Sequence, residues 1–297
     1  MPIDYDVHPE HQYLQLIWQI MNNGTEENGR NGNVKMIFGN MMRFSLKYGE
    51  IPLLTTKKLA YKTCFHELMW FIRGSTDNKE LQEKNVHIWD GNSSREYLNN
   101  VGLHNLDEGD IGPGYGFQWC HWGAEYIDCK TDYTGKGINQ LHSIIDNLKD
   151  PEKRSSRRLI LSAWNVSDLD KMALNPCHIL CQFNVRDGKY LSCCMYQRSA
   201  DVGLGMPFNI ASYSFLTHIL AKHTGLIAEE FIYFTGNNHI YSNHLEALEE
   251  QIQRKPFPFP KINIKNTHEN IEDYCFEDIN WVESYQSHDK IIMDMTA

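Results

Sequence analysis

Two hydrophobic periodicities alternate along the chain. Apolar residues at 13, 14, 17, 20 and 21 recur at helical spacing and predict an amphipathic first helix over 12–22. Residues 38–46 read as a strand. Thr55-Thr56-Lys57-Lys58 then leads into a second helix over 60–73 that stops at Gly74. Inside it, Glu67 interrupts the run His66-Glu67-Leu68-Met69-Trp70-Phe71. A carboxylate so placed is either rotated to solvent or held at a site, and the pattern by itself favours solvent. Residues 158–164 predict a buried strand, and 208–220 a helix opening after Pro207. A short strand at 231–234 runs into Thr235-Gly236-Asn237-Asn238-His239-Ile240-Tyr241. Polar groups emerging at a strand end serve binding in many α/β architectures, and a hydrogen-bonded loop explains His239 and Tyr241 equally well. The alternating prolines of 256–260 predict an extended strap, the weakest point at which the chain would divide. With no repeat, heptad run or low-complexity linker, the pattern describes a mixed α/β protein with one domain over 1–297.

The most informative segment lies between 174 and 213. Asp187-Gly188 separates two apolar, strand-like runs, 179–185 and 190–196, and this dipeptide is a strong signal for a two-residue hairpin loop. Arg186 then faces Lys189, and counting outward puts Cys177 opposite Arg198 if no bulge intervenes. A one-residue slip would turn one of the two to the other face. The chemistry follows from that pairing. A free thiol has a pKa near ~8.5, and only the thiolate is nucleophilic. A neighbouring guanidinium favours the charged form, and its planar fork also matches phosphate oxygens. His178 points to the opposite face of an extended strand, so it is not assigned as the base of a cysteine–histidine dyad.

Composition narrows the partners. The formal charge of -10 argues against broad contact with a nucleic-acid backbone. A small anion remains suitable if arginines concentrate locally, and Arg30, Arg157, Arg158 and Arg198 are the candidates. The adjacent pair Arg157-Arg158 reads first as a solvated surface pair. Eight cysteines show no paired metal spacing, which predicts thiols in a reducing compartment and no metal centre. No apolar run reaches the ~18 residues of a spanning helix, and the first residues lack the features of a signal peptide, so a cytoplasmic protein is expected.

Taken together, these segments closely resemble the thymidylate synthase family, from about residue 12 onward and most weakly over 262–290. Pro-Cys-His at 176–178, Gln-Arg-Ser-x-Asp at 197–201 and Leu-Gly-x-Pro-Phe-Asn-Ile-Ala-Ser-Tyr at 204–213 occur in order and at the family's spacing. The family's Phe-Pro-Leu-Leu-Thr-Thr-Lys appears at 51–57, His-Ile-Trp-Asp at 87–90 and Tyr-Gly-Phe-Gln-Trp at 115–119. The resemblance implies a large twisted mixed sheet flanked by helices, and a homodimer packed sheet against sheet. It also implies a methyltransferase that converts deoxyuridylate (dUMP) to thymidylate. The co-substrate would be 5,10-methylenetetrahydrofolate, with no metal.

Residue by residue, Cys177 matches the nucleophile that attacks C6 of the uracil ring. Arg30, Arg198 and Ser199 match phosphate ligands, and Arg157 with Arg158 match a pair supplied by the other subunit. His239 and Tyr241 match residues that hold the sugar 3'-hydroxyl. Asn209 matches the uracil reader, whose amide donates to O4 and accepts from N3. Glu67, Asn92, Tyr115 and His178 match a polar network around the ring. Trp89, Asp201, Leu204, Gly205 and Phe208 match the folate pocket, Lys57 the folate's acidic tail, and Met295-Thr296-Ala297 a closing terminus. The sequence departs from the family at Gly29-Arg30-Asn31-Gly32-Asn33-Val34-Lys35, one residue short, and at Asn175, Cys120 and Asn237. Two rivals share these features. One is a nucleotide hydroxymethylase of the same fold, whose cytidylate version Asn209 argues against; the other is a catalytically weakened paralogue that binds nucleotide or a partner.

Overall fold

The computed structural model describes residues 8–29 and 32–295. The first helix, α1 (His11–Asn23), buries Tyr13, Leu14, Leu16, Ile17 and Ile20 on one face, as the spacing predicts, and Gly24 closes it with an N–H donated to the Ile20 carbonyl at 2.9 Å. A hairpin of β1 (Thr25–Gly29) and β2 (Gly32–Ser45) follows, so the predicted strand is longer than 38–46. Segment 51–57 then threads through the core without regular structure and delivers the chain to α2 (Tyr61–Ile72).

Four shorter helices cover one end of the sheet: α3 (Asn78–Gln82), α4 (Asp90–Ser93), α5 (Arg95–Asn100) and α6 (Tyr115–His121). A Cβ at Gly116 would sit 2.5 Å from the Phe71 carbonyl oxygen, so only glycine lets α6 approach α2 so closely. α7 (Gln140–Lys149) precedes β3 (Ile160–Ser162), which is much shorter than the strand expected over 158–164.

The hairpin of β4 (His178–Arg186) and β5 (Tyr190–Asp201) forms as predicted, but its register does not. Asp187 and Gly188 both have positive φ, and Lys189 donates back to the Arg186 carbonyl at 3.1 Å. Arg186 nevertheless pairs with Tyr190, not with Lys189, leaving Lys189 as an extra residue at the turn. A bulge between His178 and Leu180 restores the expected count, and His178 pairs with Gln197. The Arg198 N–H accordingly donates to the Cys177 carbonyl at 2.8 Å. The two irregularities cancel, so Cys177 does face Arg198.

From β5 the chain crosses through α8 (Gly205–His223) to β6 (Ile227–Tyr241), which lies parallel to β5. The strand expected at 231–234 is longer, and the polar run 235–241 beyond it is the second half of β6, paired with β2 on one side and β5 on the other, so it is not a loop. The sheet order is β1-β2-β6-β5-β4-β3, and every pair except β5–β6 is antiparallel. α9 (Leu245–Ile252) leads to the proline strap, which is extended as expected: Ile51 N–H donates to Pro260 O and Phe257 N–H to Thr55 Oγ1. A small sheet of β7 (Lys261–Ile264) and β8 (Ile279–Glu283) follows, and residues 284–295 run on without regular structure.

One hydrophobic core runs through these layers. α8 is buried on nearly all sides, its apolar residues spread round the helix and its buried Ser214 and Thr217 hydroxyls donating back to the Ile210 and Tyr213 carbonyls. The opposite face of the sheet is left open, and Phe38, Met41 and Phe234 stand exposed on it.

Candidate active site

A cavity of about 520 Å3 opens where β4 begins and β5 and β6 end, near the first turns of α8. It is lined by Glu67, Trp89, Asn92, Tyr115, Cys177, His178, Arg198, Ser199, Asp201, Leu204, Gly205, Phe208, Asn209, His239 and Tyr241. Six stretches distant in sequence thus converge on one volume of ligand size. A larger open groove of about 690 Å3 beside Tyr48, Arg186 and Lys222 contains none of these groups, and Glu229 pairs with both its Arg186 and its Lys47.

Cys177 sits half-buried at the foot of β4, its N–H donated to the Tyr115 hydroxyl at 2.7 Å. Tyr115 holds a φ of +26°, unusual for a residue other than glycine, at the start of α6, and packs against Phe71 and His178. Burial raises its phenol well above the ordinary range, so it stays protonated and acts as a hydrogen-bonding post. Arg198 donates from Nε to Pro176 O at 2.9 Å and from Nη2 to Asn175 O at 2.8 Å, and its guanidinium lies 5.4 Å from the Trp164 ring centre. Its fork therefore clamps the two residues before Cys177. That links the cation to the thiol through the backbone.

Two further groups differ in charge from what exposed side chains would show. Glu67 is 9% exposed, not turned to solvent as the helical pattern favours. α6 and α8 both pack against α2, and its exposed side carries Lys62, while Glu67 lines the cavity. Trp89 Nε1 donates to its Oε1 at 2.7 Å, and burial pushes the carboxyl up to about 7. His178 bonds through Nδ1 to the Tyr213 hydroxyl at 2.7 Å, and burial pushes it down to about 3, leaving a neutral imidazole. A neutral ring is unsuited to act as the cationic partner of a thiolate, although His178 lines the same cavity as Cys177 where an extended strand would turn it to the other face.

On the α8 side, Asp201 Oδ1 accepts from the N–H groups of Gly203 and Leu204, and this turn aims Gly205, Phe208 and Asn209 at the cavity. Ile88, Trp89, Leu174, Leu204, Phe208 and Met293 give that side an apolar, partly aromatic wall. At the ends of β5 and β6, His239 Nδ1 and Asn237 Oδ1 are 3.0 Å apart, so the amide that stands in place of an acid still orients the ring. Among the described residues, no group of three or more His, Cys, Asp or Glu is placed to hold a metal ion.

Not every expected residue reaches the cavity. The Lys57 ammonium lies behind the wall on the Gly203 carbonyl, pushed down to about 8 by burial despite the nearby Asp201. It is a buried support of the 201–204 turn, not an exposed cation. Arg157 and Arg158 are exposed on the loop before β3 and do not line the cavity. Arg30 and Ala297 lie outside the described residues. Conversely, sequence reasoning missed Ile88, Leu174, Gln197 and Met293 as lining residues. Gln197 accepts from the Tyr233 hydroxyl at 2.6 Å and donates to Ser199 O at 2.8 Å, bracing the strand that carries Arg198. Its position inside the Gln-Arg-Ser motif was the available signal.

The fold and cavity define a mixed α/β protein that presents a cysteine, an arginine fork and a buried carboxyl to one small ligand site. A family model described as thymidylate synthase matches residues 11–297. The chain is 49% identical over 291 residues to the thymidylate synthase of Homo sapiens, covering 98% of this chain and 91% of that protein. It is 50% identical over 292 residues to the thymidylate synthase of Equine herpesvirus 2, covering 98% and 99%. It is 54% identical over 295 residues to the bifunctional dihydrofolate reductase-thymidylate synthase of Zea mays, covering 99% of this chain and 56% of that protein. The chain thus spans about half the length of the bifunctional relatives it matches. It belongs to the thymidylate synthase family.

Proposed function

We propose that this chain methylates deoxyuridylate to thymidylate, with 5,10-methylenetetrahydrofolate as co-substrate and dihydrofolate as the second product. The observation that carries the reading is the convergence of Cys177, Arg198 and Asn209 on one cavity with an apolar, partly aromatic wall, in a chain of this family.

Cys177 adds through its sulfur to C6 of the uracil ring, and electron density moves to C5, which becomes the carbon nucleophile. The folate's one-carbon unit bonds to C5; a proton then leaves C5 as the folate nitrogen is eliminated, and hydride from that folate completes the methyl group as the Cys177–C6 bond breaks, returning the thiolate and leaving dihydrofolate. Asn209 fixes the ring by donating to O4 and accepting from N3, a pattern that a cytosine reverses. Arg198 and Ser199, with Arg30, take the phosphate; charge-assisted bonds of roughly 1.5–3 kcal/mol each outweigh the net negative charge of the chain. His239 and Tyr241 meet the sugar 3'-hydroxyl. Glu67, poised near pH 7 by burial, exchanges protons with the ring edge, with Asn92, Tyr115 and His178 completing that network. Trp89, Leu204, Gly205, Phe208 and Asp201 form the seat of the folate, and Lys57 backs it.

The functional form is a homodimer packed through the open sheet face, with Arg157 and Arg158 reaching the partner's phosphate site. The exposed Phe38, Met41 and Phe234 support this, since apolar side chains standing together on a sheet face call for cover. The reading treats 1–297 as one catalytic unit in the cytoplasm; among the described residues no helix is long and apolar enough to cross a membrane.

The test is dihydrofolate absorbance when the protein meets deoxyuridylate and methylenetetrahydrofolate, beside a Cys177→Ser control. Dihydrofolate formed only with Cys177 supports the proposal. A hydroxymethyl nucleotide instead marks a hydroxymethylase, and no product with nucleotide still bound marks a weakened paralogue.

A further inference from the structure

His244 closes the single turn Ser242–His244 that follows β6 and is 0% exposed, yet it lines no part of the cavity. Its Nε2 lies 2.7 Å from the carbonyl oxygen of Asp294 in the C-terminal segment. A carbonyl only accepts, so Nε2 carries the proton of that bond. The residues on either side of this anchor, Met293 and Met295, both line the cavity. The preceding anchors of the segment lie farther back: Arg254 Nη1 donates to Asp289 O and His288 N–H to Thr55 O, each at 2.8 Å.

The other edge of the ring faces the site from behind. Its Nδ1 is buried with no hydrogen-bond partner. A Cβ on Gly203 would lie 3.0 Å from that Nδ1 and 3.2 Å from Met293 Sδ, so ring, tail and the 201–204 turn are packed without slack. The ring also meets Tyr241 edge-on at 5.6 Å. His244 therefore touches the sugar side through Tyr241, the folate side through the turn, and the tail through Asp294.

We propose that His244 is a positioning residue that latches the C-terminal segment over the cavity through the Asp294 carbonyl, so that Met293 and Met295 shape the folate side of the site. The assignment rests on the synthase reading only for its kinetic consequence. The latch itself is a property of the protein without substrate.

Hydrogen exchange of the amides in 290–295, read without ligand, tests the latch in wild type, His244→Ala and His244→Gln. Glutamine places an N–H donor close to the position of Nε2, whereas alanine removes it. Loss of the bond predicts roughly tenfold faster exchange of these amides in His244→Ala, with recovery in His244→Gln and unchanged exchange in β5 and β6. Where substrate turns over, His244→Ala raises the folate KM by a similar factor while the affinity for nucleotide alone holds. If His244→Ala folds poorly, Gly203→Ala displaces the ring and Met293 from the opposite side and is expected to give the same local loss. Unchanged tail exchange in His244→Ala or Gly203→Ala overturns the latch, as does equal acceleration across the sheet. Absence of turnover in wild type would count against the synthase reading alone.

Discussion

Glu67 gives a prediction whose size follows from the structure. Burial moves its carboxyl from an ordinary 4.5 to about 7. At about 1.4 kcal/mol per pH unit, that displacement corresponds to about 3 kcal/mol. The sign is that of an acid raised in the folded state: the neutral form is favoured, so the stabilising contribution is full below pH 4.5 and is lost as pH rises through 7. Glu67→Gln keeps an oxygen for Trp89 Nε1 but cannot ionise. The stability of this variant relative to wild type should therefore rise between pH 4.5 and 7 and then level off. Unfolding entropy of about 2 cal/mol/K per residue gives about 0.6 kcal/mol/K for 297 residues, so 3 kcal/mol corresponds to about 5 °C. The assay is thermal unfolding of both proteins from pH 5 to 8. Comparing the offset at each pH cancels any fixed change in hydrogen bonding. An offset that stays flat across this range would refute the account of Glu67 as a buried, proton-exchanging carboxyl. In turnover, the limb of the pH–rate profile near 7 should vanish in the variant.

Arg198→Lys keeps the charge but loses the fork that holds Asn175 O and Pro176 O; steady-state kinetics should show both kcat and nucleotide affinity falling by roughly 10- to 100-fold. Glu10 is wholly buried and accepts from the N–H and hydroxyl groups of both Thr55 and Thr56, so Glu10→Gln turns an amide N–H2 toward donors. Urea unfolding should reveal a loss of about 2–4 kcal/mol. The dimer proposal predicts complementation: mixing Cys177→Ser with Arg158→Glu, each inactive alone, should restore up to about a quarter of the sites, because one site of each mixed dimer has both parts intact. No recovery after confirmed subunit exchange counts against arginines donated across the interface.

The sequence made the Cys177–Arg198 pairing legible, though by a route the structure does not follow. The Asp187-Gly188 signal located the turn correctly, because it reports only the backbone conformation of two residues. It carries no information about Lys189 or about the bulge after His178, each of which shifts the register by one. Had only one of them been present, the thiol and the guanidinium would have parted to opposite faces. Glu67 was misjudged because helical periodicity describes a helix with one covered face, whereas α2 is packed on several sides. There the position of a carboxylate is set by a partner, Trp89, 22 residues further along the chain. The polarity of 235–241 leaves a loop as one of two readings for His239 and Tyr241 for a related reason. In mid-sheet both edges of the backbone are paired, with β2 and with β5, so its polar side chains do not cost the strand its hydrogen bonds. That placement is what makes them useful: His239 and Tyr241 are held by a rigid ladder instead of a loop, and His244, one turn beyond its end, inherits the same fixed position beneath the tail. Patterns along the chain thus locate residues that a local backbone conformation selects. Where residues are shaped by what packs against them from elsewhere, family motifs name Glu67 and Lys57 but not their burial or partners, and His244 becomes visible only in three dimensions.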